Sequence, residues 1–119
     1  MGSQPEQMRN RSKAFALRVI RLFRSLPYRT DTQVLGKQLL RCGTSVAANY
    51  RAVCRARSKA EFIARIGIVA EVADETVLWL ELLVESGIVP QGKVEELLAR
   101  ADSHFHGFAA NCTKWSLAV

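Results

Sequence analysis

From Lys59 to Ser86 about 28 residues pass without a proline, and the apolar ones recur at alternating steps of three and four. Phe62, Ile66, Val69, Ala73, Thr76, Leu80 and Leu83 fall on one heptad seam. A helix of that length spans roughly 42 Å at about 1.5 Å per residue, and its seam must be buried along other helices. Both ends are marked. Ser58-Lys59-Ala60-Glu61 reads as a capping box in which the Ser58 hydroxyl accepts from the Glu61 amide and the Glu61 carboxylate reaches back to Ser58. Gly87 after Ser86, with Pro90 close behind, signals the stop.

The flanking segments repeat the pattern. From about 7 to 26, Phe15, Val19, Leu22 and Leu26 share one face, and Pro27 ends the run. From about 32 to 56, Leu35, Leu39, Val46 and Val53 line one side, with Thr30, Asp31 or Thr32 available as the cap. Gly43 inside this helix costs roughly 1 kcal/mol relative to Ala, which close helix contact or a local bend would offset; a bend is expected near Cys42 to Ser45. From about 90 to 116, Val94, Leu97, Leu98, Ala101, Phe105, Phe108 and Cys112 continue the stripe. Four helices with short connections predict an all-α, antiparallel up-down-up-down four-helix bundle, and 119 residues fit one domain over 1–119.

The third segment is apolar over more of its circumference than a bundle core requires. Ile68, Val72 and Trp79 widen the arc on one flank, and Ile63, Ala70, Val77 and Val84 on the other. The arc covers about two-thirds of the helix, where a surface helix needs little over about 100°. Ile68, Val72 and Trp79 are therefore the expected contact between copies in a homo-oligomer; the alternative is that long side chains of the first and last helices cover them within one chain.

Charge is distributed unevenly. Basic residues from Arg9 to Lys59 are opposed only by Asp31, whereas acids dominate from Glu61 onward. The densest basic stretch, Arg51, Arg55, Arg57 and Lys59, follows Tyr50, whose ring is of a type that stacks on bases or guanidinium groups. With Arg11, Arg18, Arg21 and Arg24 it forms a candidate phosphate-binding surface for RNA or a nucleoprotein. Against this stands internal pairing of Arg41, Arg51 or Arg55 with Glu71, Asp74 and Glu75 of the third helix.

Catalysis finds no support. No nucleophile motif or phosphate loop is present, and His104 and His106, two apart on a helix, diverge by about 200°. Glu71, Asp74 and Glu75 cluster on one face, but no Glu-x-x-His pair accompanies them, so neither metal, cofactor nor small-molecule substrate is expected. Cys42, Cys54 and Cys112 are odd in number and widely spaced, which reads as reduced core or interface thiols. No export core or membrane-length apolar run stands in the sequence, and the expected compartment is the cytoplasm.

The run from Cys42 through Ser45 to Asn49, then Arg57-Ser58-Lys59-Ala60-Glu61-Phe62, then Ile66 to Glu71, resembles the bacterial four helix bundle protein family, over about Phe15 to Ser116. This family includes proteins encoded within intervening sequences of large-subunit ribosomal RNA genes. The resemblance carries most on Ser45, Asn49, Arg57, Ser58, Glu61, Phe62 and Glu71. It implies a four-helix protomer in a ring of five with a central channel, similar in fold to the basic accessory proteins of diversity-generating retroelements, which work with a reverse transcriptase and RNA. Many members continue after the matching asparagine with Ile-Ala-Glu-Gly; here the segment is Tyr50-Arg51-Ala52-Val53, which replaces an acidic position by neutral and basic residues. Two readings follow: a non-enzymatic homo-oligomer that binds RNA, or a scaffold whose ligand is another protein.

Overall fold

The computed structural model describes residues 4–99. Helix α1 spans Gln4–Ser25, α2 Thr30–Cys54 and α3 Lys59–Glu85, and a fourth helix, α4, occupies 91–99 at the end of the described chain. No strand occurs among the described residues, and the chain is all-α with four helices. The expected continuation of the fourth helix to 116, with Ala101, Phe105, Phe108, Cys112, His104 and His106, lies outside the described residues. Among those described, no helix is long and apolar enough to cross a membrane.

Short corners force antiparallel neighbours. The α1–α2 corner forms at Pro27, where the Leu26 amide closes the last turn onto the Phe23 carbonyl at 3.2 Å. α2 packs against both α1 and α3, while α1 and α3 stay out of backbone contact, as diagonal partners of a bundle do. The molecule measures 49 × 26 × 21 Å, one long helix in length and two helices in cross-section.

The apolar stripes meet in two clusters along the axis. One joins Phe15, Val19 and Leu22 to Leu39, Leu80 and Leu83 and is closed by Val89, Val94 and Leu97. The other joins Met8 to Val46, Tyr50 and Val53 of α2 and Ile66, Val69 and Ala73 of α3, with Phe62 packed beside it.

Three local expectations change in detail. The residue before α2 is Arg29, which offers no side-chain cap; Asp31, inside the first turn, accepts instead from the Thr32 amide at 2.8 Å. At α3 the Ser58 hydroxyl accepts from the Glu61 amide at 3.1 Å as predicted, but the Glu61 carboxylate takes the Arg57 amide at 3.1 Å, one residue earlier than a capping box requires. α2 runs unbroken through Cys42 to Ser45, where a bend was expected. Gly43 is there for close approach, since a Cβ at this position would lie 2.8 Å from both methyl carbons of Val19.

The end of α3 follows the sequence closely. Gly87 takes φ 81, the left-handed region that glycine enters freely. Its amide donates to the Val84 carbonyl at 3.0 Å and that of Ile88 to the Leu83 carbonyl at 3.1 Å, the paired bonds of a Schellman motif.

Candidate nucleic-acid interface

The contacts between α2 and α3 fix their register. Arg41 donates to Glu75 at 2.7 Å, and the Cys42 thiol donates to the same carboxylate. Because the helices run antiparallel, every step up α2 from Arg41 matches a step down α3 from Glu75. Arg51 is therefore level with Arg65, and Arg55 with Glu61. Glu71 and Asp74 lie level with residues near Ser45 and Cys42, more than about one and a half turns from Arg51 and further from Arg55. The pairing expected between third-helix acids and second-helix arginines is thus made by Arg41 alone among the described residues.

Arg51 and Arg55 are exposed on the outward face of α2 and enter no ion pair among the described residues. Arg55 closes α2, its amide donating to the Ala52 carbonyl at 3.1 Å. The Arg57 amide is bound to Glu61, and Ser58 caps α3, so four residues complete the turn. Glu61 also accepts from Arg65 Nε at 2.9 Å, one turn further on. Glu61 titrates below the usual carboxylate range, held there first by the Arg57 amide and then by Arg65. Ala52, Arg55, Arg57, Glu61 and Arg65 together line an open pocket of about 460 Å³. A smaller recess of about 260 Å³ adjoins it across Arg57, lined by Ala56, Ser58, Lys59 and Phe62.

The remaining basic candidates do not all gather here. Val19 lies beside Gly43, so in the antiparallel α1–α2 pair Arg11 is level with Arg51, whereas Arg18, Arg21 and Arg24 run towards the other end. At about 1.5 Å per residue, Arg24 and Arg55 are roughly 25 Å apart along the axis. Arg18 pairs with Glu96 of α4 at 2.8 Å, and both line a second groove of about 480 Å³ with Arg21, Ser25 and Lys93. The basic candidates therefore form two sites, with Arg11, Arg51, Arg55, Arg57 and Lys59 at one end and Arg18, Arg21 and Arg24 in the other half.

Tyr50, read as a stacking ring, is buried at 7% exposure in the second core cluster. Burial, and then the neighbouring Cys54, push its hydroxyl up to about 12. Burial also pushes the Cys42 thiol up to about 11, reinforced by its bond to Glu75, so it behaves as an inert core group; Cys54 is exposed. Cys112 lies outside the described residues.

Of the expected contact residues between copies, Ile68 is 45% exposed, while Val72 packs against the second cluster and Trp79 against the first. Among the described residues the buried Trp79 Nε1 atom meets no hydrogen-bond partner at full bonding geometry, although the ring stands close enough to Cys42 and Glu75 to influence both. Leu78 and Leu82, which belong neither to the heptad seam nor to its flanks, stand exposed on the outward face of α3 with Ile68. Their signal was the four-residue spacing opposite the seam, between Glu71, Asp74 and Glu81. Arg65 was also missed, though it stands four residues after Glu61. Among the described residues no three metal-ligating side chains converge. The shared motif proves largely architectural: Asn49 donates back to the Ser45 carbonyl at 2.9 Å, Ser58 and Glu61 cap α3, and Phe62 packs on the core. Glu71 is exposed.

These features define a class: an antiparallel bundle of four helices whose α2–α3 corner sets several arginines against the single carboxylate of Glu61. The chain belongs to the family described as 23S rRNA-intervening sequence protein, whose model matches residues 6–106. It is similar to the crystal structure of a protein with unknown function from the S23 ribosomal protein family of Bacteroides thetaiotaomicron VPI-5482. The two share 29% identity over 93% of this chain and 99% of that chain, with a TM-score of 0.86. No curated protein matches the sequence.

Proposed function

We propose that this chain is a non-enzymatic, cytoplasmic homo-oligomer, a ring of five in the form its family resemblance implies, that binds RNA through the basic α2–α3 corner. One observation carries the reading: Arg51, Arg55, Arg57 and Lys59 crowd this corner, and none of their side chains forms an ion pair among the described residues. Interspersed acids would neutralise a merely solubilising surface; here Glu61 is taken up by the Arg57 amide and by Arg65, and register carries Glu71 and Asp74 away from the corner. The family description names 23S ribosomal RNA, which makes a structured RNA the first ligand to test.

Fluorescence anisotropy of a labelled structured RNA across a salt series tests the reading. Four phosphate contacts predict a slope of log affinity against log salt of about −3. Charge reversal of Arg51 and Arg55 should weaken binding while leaving the assembly mass unchanged. No binding at low salt would overturn the proposal.

A second reading, a scaffold that binds protein, draws on Ile68, Leu78 and Leu82, exposed among the acids of α3. Specific recovery of a protein partner after nuclease treatment, with no RNA binding by the purified oligomer, would favour it.

A further inference from the structure

We infer that the pocket between the end of α2 and the first turns of α3 is a dedicated phosphate subsite, in which Arg55, Arg57 and Arg65 receive the phosphate beside Glu61. The inference deepens the RNA-binding reading by naming the group recognised and the residues that take it. Ala52, Arg55, Arg57, Glu61 and Arg65 line this pocket. Three guanidinium groups against one carboxylate leave a formal charge of +2.

Of the three, Arg65 alone is paired among the described residues, to Glu61 at 2.9 Å. The side chains of Arg55 and Arg57 make no hydrogen bond or ion pair among the described residues, although their backbones are fixed. The Arg55 amide is tied to the Ala52 carbonyl and the Arg57 amide to Glu61. Free planar donors on an anchored backbone suit a tetrahedral oxyanion, because each guanidinium offers parallel N–H groups. With about 30 Å³ of liquid volume per water molecule, a pocket of about 460 Å³ has room for a phosphate and an attached sugar. Ala52 and the arginine stems give the wall an apolar lining for that sugar.

Glu61 acts as an internal counter-anion. It sits where an incoming phosphate feels repulsion, yet its bonds to the Arg57 amide and to Arg65 hold the corner in shape. Gln at this position keeps an oxygen to accept from the Arg57 amide and removes the charge. The start of α3 and the ligand field are therefore separable by substitution.

The experiment is calorimetric titration of inorganic pyrophosphate into the full chain at low salt, for the parent and for Arg57→Ala, Glu61→Gln and Lys37→Ala. Arg57→Ala should weaken binding about tenfold, the loss of one charge-assisted contact. Glu61→Gln should tighten it, and Lys37→Ala, which removes the same charge from the exposed far half of α2, should leave it unchanged. Circular dichroism checks that each variant keeps its helices. No binding to the parent, equal losses for Arg57→Ala and Lys37→Ala, or weaker binding by a folded Glu61→Gln would overturn the inference. A second arm compares one single-stranded RNA carrying a 5′-phosphate or a 5′-hydroxyl. Preference for the phosphorylated strand assigns the subsite to a terminal phosphate; equal affinity, lost together in Arg57→Ala, assigns it to the RNA backbone. Pyrophosphate binding that depends on Arg57 without any RNA binding would sink the functional reading and leave the subsite standing. RNA binding indifferent to Arg57→Ala would do the reverse.

Discussion

Gly43→Ala is expected to destabilise the bundle even though alanine is the better helix former. The added Cβ would lie 2.8 Å from both Val19 methyl carbons and 3.0 Å from the Val19 Cβ. Comfortable carbon contacts lie at about 3.5 to 4.0 Å. Val19 is 0% exposed, and a helical valine is held to one χ1 well in roughly 90% of cases. Relief must then come from parting α1 and α2 or from an off-rotamer Val19, an overpacking cost of about 1–3 kcal/mol. Alanine returns about 1 kcal/mol through helix propensity, leaving a net loss of about 1 kcal/mol. Gly67 is the internal control: it lies within α3, and a Cβ there meets nothing within 4 Å. Gly67→Ala should therefore gain about 0.5–1 kcal/mol. Urea unfolding at one fixed protein concentration, with the slope unchanged, should separate the two variants by about 2 kcal/mol. Restoring room with Val19→Ala should make the double variant less unstable than the sum of the single ones. A Gly43→Ala protein as stable as Gly67→Ala would refute the close-approach argument.

Ser58→Ala should cost about 1 kcal/mol by removing the acceptor for the Glu61 amide, read as a lower urea midpoint. Acid should unfold the chain through Glu61 and Glu75, whose folded-state values lie below the ordinary 4.5. Their contribution is present above the unfolded carboxylate value and is lost as pH falls through the folded one; Glu75→Gln should flatten that limb of the stability curve. In alkali the sign reverses: the Cys42 thiol, raised from 9.0 to about 11, contributes fully below pH 9.0 and loses that contribution as pH climbs to about 11. Cys42→Ala should remove this part of the decline in a denaturant series run at stepped pH. Leu78→Glu with Leu82→Glu should yield smaller species by light scattering with the helical spectrum retained, and an unchanged mass would rule out the outward face of α3 as the contact between copies. Trp79→Glu, which strikes a ring packed on the core, should lower stability as well.

Helix number, the Pro27 stop, the Ser58 cap and the Gly87 terminator were legible because each is a local event, decided by residues within about a turn of one another. Gly43 was legible as an anomaly but not as a contact, since bend and close approach leave the same trace in sequence and only Val19, on another helix, separates them. Trp79 shows a related limit: an apolar arc reports how much surface is greasy, not which part its own core claims, and part of this ring packs on the first cluster. The basic surface shows the same limit on a larger scale. Arg18, Arg21 and Arg24 precede Arg51 and Arg55 by about one helix length, and antiparallel packing carries them towards opposite ends.

The α2–α3 corner is anchored before any ligand arrives. Ser58 and Glu61 hold it from the α3 side and the closing turn of α2 from the other, so its backbone entropy is spent in folding. An anion that docks there needs to still only the arginine side chains. Such a site should show small conformational change and a modest entropic penalty, and variants that weaken it should act through faster release rather than slower capture.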